Sequence, residues 1–231
     1  MSPVISIHNV TAGYERKPIL YDVSLNVYAN DFLGIVGPNG GGKTTLIRVI
    51  LGQLKPMKGT VSFYREGERV DKLNVGYLPQ NNMIDKKFPI SVYEVIRSGL
   101  SKRKLIDSRL TPKERVRIDE VINRVELNGY EKKAIGELSG GQLQRVLLGR
   151  AIVSQPEIVI LDEPNTFVDK RFEKELYDII AEINKNCTII MVSHQLDYII
   201  KHAKNIAGVN GRLFYHPNSE ANADWVKKIF E

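Results

Sequence analysis

Eight consecutive residues, Gly37-Pro38-Asn39-Gly40-Gly41-Gly42-Lys43-Thr44, carry the plainest chemistry in this chain. Glycines at this spacing let backbone N–H groups close around phosphate oxygens. The Lys43 ammonium can reach the outer phosphates of a polyphosphate, and the Thr44 hydroxyl can ligate Mg2+. A loop of this kind needs a strand before it and a helix after it. Both are foreshadowed: Phe32 to Val36 is a continuous apolar run, and Thr45 to Leu51 reads as a helix ending at Gly52. The positive end of that helix favours a polyphosphate.

Two further apolar runs end in residues with chemical potential. Ile158 to Leu161 leads into Asp162 and Glu163, and Thr188 to Val192 leads into Ser193 and His194. Continuous runs of this kind suit parallel strands buried on both faces. Ligands of open parallel sheets bind at the carboxyl ends of such strands, where Gly37, Asp162 and His194 would emerge together. Hydrolysis of a phosphoanhydride needs one carboxylate for a divalent cation and one near the attacking water. An acidic strand end capping the turn at Pro164 is the simpler alternative for the pair.

Leu138-Ser139-Gly140-Gly141-Gln142 carries a second anion signal. Ser139 and Gln142 fit a capping box ahead of Leu143, Val146 and Leu147. The box accounts for those two residues but not for two consecutive glycines, which leave N–H groups open at a positive helix end.

Taken with the phosphate loop, this motif makes the chain resemble an ABC-type ATPase, the nucleotide-binding subunit of a membrane transporter, over nearly its whole length. The resemblance implies ATP and Mg2+. Gly37, Pro38, Asn39, Gly40, Gly41, Gly42, Lys43, Thr44 and Thr45 would hold the phosphates. Asp162, with Thr44 and Gln80, would hold Mg2+, and Glu163 would act as general base or orient the water. His194 matches the switch histidine that contacts the γ-phosphate. Gln80 matches the glutamine that joins the core to a helical subdomain. Tyr14 matches the aromatic residue that stacks on adenine, although a plain hairpin tyrosine fits the same place.

Ser139, Gly140, Gly141 and Gln142 would close over ATP bound to a second copy, giving a head-to-tail dimer, with Asp169 making a further contact across it. Asn165 and Phe167 depart from the family's usual residues after Pro164. The stretch Tyr77 to Val95, above all Asp85 to Val92, resembles the zinc, manganese or iron importer branch. That likeness implies polytopic permease subunits and a solute-binding receptor as partners. Phe88, Pro89, Val92 and Tyr93 could form an exposed apolar edge for a helix of a membrane partner, or simply pack in the core. A soluble ABC ATPase acting on a protein scaffold, such as the iron-sulfur cluster assembly type, is the alternative reading. No nucleic-acid partner is expected.

The elements that must position these residues form an α/β fold: a RecA-like P-loop NTPase core, an N-terminal antiparallel β subdomain and an inserted helical subdomain. Residues 1–231 read as one domain, with 1–87 and 154–231 as the core and 88–153 as the helical part. Val23, Leu25 and Val27 alternate with polar residues, the period of a half-exposed strand. Ser91 with Glu94 and Thr111 with Glu114 fit capping boxes. Ile118, Val121, Ile122 and Val125 share one helical face, and Leu176, Ile179, Ile180 and Ile183, with Phe172, another. The composition, 42% hydrophobic and 26% charged, is that of a globular protein and argues against disorder. The net charge of +6 is spread over 33 basic and 27 acidic residues, so it reads as a solvated surface rather than a polyanion groove. With Cys187 as the one cysteine, an intrachain disulfide is excluded. No run approaches the roughly 18 apolar residues of a spanning helix. The expected location is cytoplasmic, on the inner face of the membrane through a permease.

Overall fold

A computed structural model of the chain describes residues 2–80, 88–100, 110–165, 170–217 and 229. The chain divides into two compact units, one of residues 1–73, 160–163 and 186–231, the other of residues 74–159 and 164–185.

The first unit opens with two long strands, β1 (Pro3–Tyr14) and β2 (Lys17–Tyr28), paired antiparallel with Tyr14 opposite Lys17. Glu15 and Arg16 both take positive φ, the twist-compatible turn that joins such strands closely. β4 (Lys58–Arg65) pairs with β1, and β5 (Glu68–Val70) pairs with β4. The alternation read in the sequence is the burial observed: Val23, Leu25 and Val27 point into the core.

β3 (Phe32–Val36) runs parallel to β8 (Thr188–Val192) on one side and to β9 (Asn205–Asn210) on the other. β10 (Arg212–Pro217) closes that edge antiparallel to β9. Beside β8 lies the end of β7 (Ile158–Asp162). Every residue of β3, β7 and β8 is buried, as their apolar runs require. Burying an aliphatic side chain is worth roughly 1.5–3 kcal/mol, so the strands that carry the polar residues at their ends are firmly anchored. Helix α1 (Lys43–Ile50) follows β3 and buries Leu46, Ile47, Val49 and Ile50. Helix α6 (Leu196–His202) follows β8.

In the second unit, β6 (Val75–Leu78) lies along β7. The Asn74 N–H donates to the Glu157 carboxylate at 2.8 Å, and the Glu157 N–H returns a bond to the Asn74 carbonyl at 2.9 Å. Four helices follow: α2 (Val92–Arg97), α3 (Pro112–Arg124), α4 (Gly140–Ile152) and α5 (Lys170–Asn184). The boxes expected at Ser91 and Thr111 both form, with Glu94 and Glu114 as their partners. Ile118, Val121, Ile122 and Val125 are buried, as are Leu176, Ile179, Ile180 and Ile183. Arg145 of α4 is only 5% exposed and is held by the carboxylates of Glu126 (2.6 Å) and Glu175. Of the residues read as a possible apolar edge, Phe88 is 60% exposed, whereas Val92 is fully buried within α2. Val92 is therefore a core residue, not part of an edge. Asp85, Asp169 and the Phe172 side chain lie outside the described residues. Among the described residues no helix is long and apolar enough to cross a membrane.

Candidate active site

The phosphate loop is shaped by what surrounds its backbone. A Cβ at Gly37, where φ is +148°, would sit 2.1 Å from the Val209 carbonyl oxygen of β9, so only glycine fits there. Gly42, the residue before α1, takes φ +103°, and its Cβ would lie 2.6 Å from the Leu20 side chain. Because Gly42 offers no capping side chain, the first N–H groups of α1 face the loop without a side-chain acceptor. The Gly41 N–H donates to the Pro38 carbonyl at 3.1 Å, and the Gly211 N–H donates to the Gly41 carbonyl at 2.9 Å. Asn39 and Gly40 form the exposed tip.

Lys43 is 7% exposed and folds across this loop. Its Nζ donates to the carbonyls of Gly37 (2.8 Å) and Pro38 (2.9 Å). Burial lowers its pKa, and the nearby carboxylates of Glu163 and Asp162 oppose that shift. Thr45 is buried against the core, while the Thr44 hydroxyl is hydrogen-bonded to Asp162. The loop lysine, the hydroxyl and both acidic residues thus share one neighbourhood.

Asp162 is 2% exposed, and its Oδ1 has no hydrogen-bond partner among the described residues. Burial, helped by the charge of Glu163, pushes its pKa up to about 6 against the opposing effects of Lys43, Arg48 and Thr44. A buried carboxylate oxygen without a donor, beside a threonine hydroxyl, is the oxygen-rich donor set that a hard divalent cation takes.

Glu163 follows β7 with φ +52°, a left-handed conformation uncommon for a non-glycine residue. Its N–H donates to the Val192 carbonyl of β8 at 2.9 Å, which fixes that conformation. The Glu163 Oε1 lies 2.8 Å from Nε2 of His194. An ionised carboxylate only accepts, so Nε2 carries the proton of this bond. The His194 side chain is 42% exposed and that of Glu163 15%, so the imidazole borders the solvent and the carboxylate sits behind it. Ser193 supports the corner: its N–H donates to the Ile35 carbonyl at 3.3 Å, and its Oγ accepts from the Gln195 N–H at 3.0 Å.

Tyr14, at the end of β1, is 37% exposed. Its hydroxyl accepts a hydrogen bond from Arg48 Nη1 at 2.8 Å. Nothing in the spacing of the sequence singles out Arg48, which follows Thr44 by one helical turn and reads as an ordinary solvated position of α1.

The first unit thus gathers Tyr14, residues 37–45, Asp162, Glu163 and His194. Gln80, just beyond β6, belongs to the second unit and is half-buried there. The Ser139–Gln142 motif belongs to that unit too, and its box forms: the Gln142 N–H donates to Ser139 Oγ (3.2 Å), and the Ser139 N–H to Gln142 Oε1 (3.1 Å). The N–H groups of Gly140 and Gly141 at the start of α4 find no acceptor among the described residues.

Comparison with known proteins gives a consistent result. Residues 20–166 match the family model described as ABC transporter. The zinc uptake system ATP-binding protein ZurA of Listeria monocytogenes is 36% identical over 220 residues, covering 93% of this chain and 86% of that protein. The zinc import ATP-binding protein ZnuC of Hydrogenovibrio crunogenus is 35% identical, covering 92% and 81%. A nucleotide-free ATP-binding cassette from an ABC transporter superposes with a TM-score of 0.81 at 24% identity, covering 98% of this chain and 94% of that one, and shares its fold. With more than half of its length matched by the family model and relatives at 35–36% identity over nine-tenths of it, this chain belongs to the ABC transporter family as an ATP-binding cassette ATPase.

Proposed function

We propose that ATP hydrolysis by this chain powers the import of a divalent metal ion, zinc in the first instance, through a membrane permease. The observation that carries the substrate is the similarity to zinc uptake subunits across nine-tenths of the chain. The scaffold-assembly alternative has no such support. In this reading the backbone N–H groups of residues 37–45 and the α1 terminus bind the phosphates, and Lys43 exchanges its two loop carbonyls for phosphate oxygens. Tyr14 offers a ring to adenine. Asp162 and Thr44 would hold Mg2+, which would supply charge neutralisation at the phosphates. Glu163 accepts the proton of the attacking water or orients it. His194 keeps the Glu163 carboxylate in place and presents its imidazole toward the transferred phosphoryl group.

The open N–H groups of Gly140 and Gly141 suit a phosphate, and residues 37–45 already serve one nucleotide. The Ser139–Gln142 motif therefore meets ATP bound to a second copy. The helical segment of the second unit faces the permease, a solute-binding receptor delivers the metal on the far side, and the chain is held at the cytoplasmic face of the membrane by its partner.

The test is uptake of radiolabelled zinc and manganese by cells relying on this chain or on its Glu163→Gln variant, together with recovery of the chain from gently solubilised membranes. Loss of zinc uptake in the variant and co-purification of a multi-span membrane protein are expected. Loss of manganese uptake alone would change the metal. Unchanged uptake of both, with soluble scaffold proteins as the companions, would overturn the transport reading.

A further inference from the structure

The Tyr14–Arg48 contact assigns a positioning role to a residue outside every motif. We infer that Arg48 holds the Tyr14 ring in the orientation that receives adenine, and so sets the affinity for the base without touching the nucleotide; this rests on the reading of Tyr14 as the adenine platform. Arg48 Nη1 meets the Tyr14 hydroxyl at 2.8 Å, while the guanidinium carbon lies 5.7 Å from the ring centroid. The guanidinium thus grips the hydroxyl from over one side of the ring, and the 37% exposed tyrosine keeps its other side for a stacking partner. An exposed tyrosine at a strand end otherwise turns freely about its side-chain torsions. Tying its outer end to α1 removes that freedom, and α1 is also the helix whose N-terminus faces the phosphate loop. Base platform and phosphate cradle are thereby coupled through one rigid element, the preorganisation that raises affinity by lowering the ordering cost of binding.

Arg48 also places a positive charge within reach of the catalytic region, where it is felt at Asp162. A purely electrostatic role would act on any polyphosphate, and a positioning role acts on the base alone. Isothermal titration of the full chain with ATP and with inorganic tripolyphosphate separates the two. Arg48→Leu is expected to weaken ATP two- to five-fold, the scale of one lost hydrogen bond, and to leave tripolyphosphate unchanged. Tyr14→Phe, which keeps ring and charge but loses the acceptor, should match it, and the double variant should be no weaker than either alone. Arg48→Lys should recover part of the loss. In turnover assays the effect should fall on KM, with kcat held within about two-fold, as for loss of uniform binding. Equal weakening of tripolyphosphate, or ATP affinity in Tyr14→Phe equal to that of the unaltered chain, would overturn the role of Arg48. Tyr14→Ala distinguishes the underlying reading: if it binds ATP normally, Tyr14 is no platform, whereas a clear loss in Tyr14→Ala with none in Arg48→Leu removes Arg48 alone.

Discussion

His194 reaches back to the carboxylate of Glu163 at 2.8 Å, although the two residues end different strands and lie 31 positions apart. The bond ties a solvent-facing imidazole to a carboxylate on a left-handed backbone, so each fixes the other's place. His194→Ala should therefore lower kcat by about a hundred-fold, as when a group that orients or stabilises the reacting atoms is removed, with KM for ATP little changed. Steady-state hydrolysis by the purified chain checks this, and a kcat near that of the unaltered chain would remove His194 from the mechanism.

Glu163→Gln keeps the size and the hydrogen-bonding reach of the side chain but not its basicity. Turnover should fall about a hundred- to ten-thousand-fold, the usual scale for a general base, while ATP affinity by titration stays within a few-fold. If affinity falls as steeply as turnover, the residue is structural.

Asp162 makes stability depend on pH. Its folded pKa of about 6 exceeds the 3.8 of a free side chain. The folded chain therefore holds more protons between those values, and stability falls as pH rises through the window. Two pH units at 1.36 kcal/mol each place the cost above pH 6 on the order of 2–3 kcal/mol. Asp162→Asn should be more stable than the unaltered chain in urea at pH 7.5 and equal to it near pH 4. Adding MgATP at pH 7.5 should stabilise the unaltered chain and do little for the variant. A difference that does not change with pH would contradict the assignment.

Arg145 is the buried cation of the helical unit. Arg145→Ala removes a guanidinium shared by Glu126 and Glu175 along with its packed stem; because both carboxylates stay solvent-accessible, the cost in urea denaturation should be about 1–2 kcal/mol, mostly from lost packing and hydrogen bonding. Arg145→Lys should recover little, because one ammonium does not span two carboxylates as a fork does. Recovery to full stability by lysine would show that charge alone suffices.

Much of the site could be read in advance because strands buried on both faces leave unbroken apolar runs, and the residues after those runs must emerge at one edge. Gly37, Asp162 and His194 were legible for that reason. The capping boxes were legible because a hydroxyl and a carboxylate or amide three positions apart have few other uses at a helix start. Arg48 was not, since its partner is far away in the chain and its own position is that of any exposed helical residue. Nor was the left-handed conformation of Glu163, which depends on a bond from its own N–H to Val192. The strand Asn205–Asn210 mixes Asn, Ala and Gly with single aliphatics, too weak a run to announce itself. The sequence left Val92 open between an exposed edge and the core, because an apolar residue in the same short stretch as the exposed Phe88 looks alike whether it faces in or out; it packs in the core.

Lys43 also governs how binding would register in a calorimeter. Its ammonium is already engaged by two carbonyls of its own loop, so most of the rotamer freedom of a lysine, up to about 2 kcal/mol, is surrendered during folding. Nucleotide capture then becomes an exchange of oxygen ligands around a side chain that scarcely moves. The entropy of binding should accordingly owe little to ordering that chain, while the heat reports the swap itself.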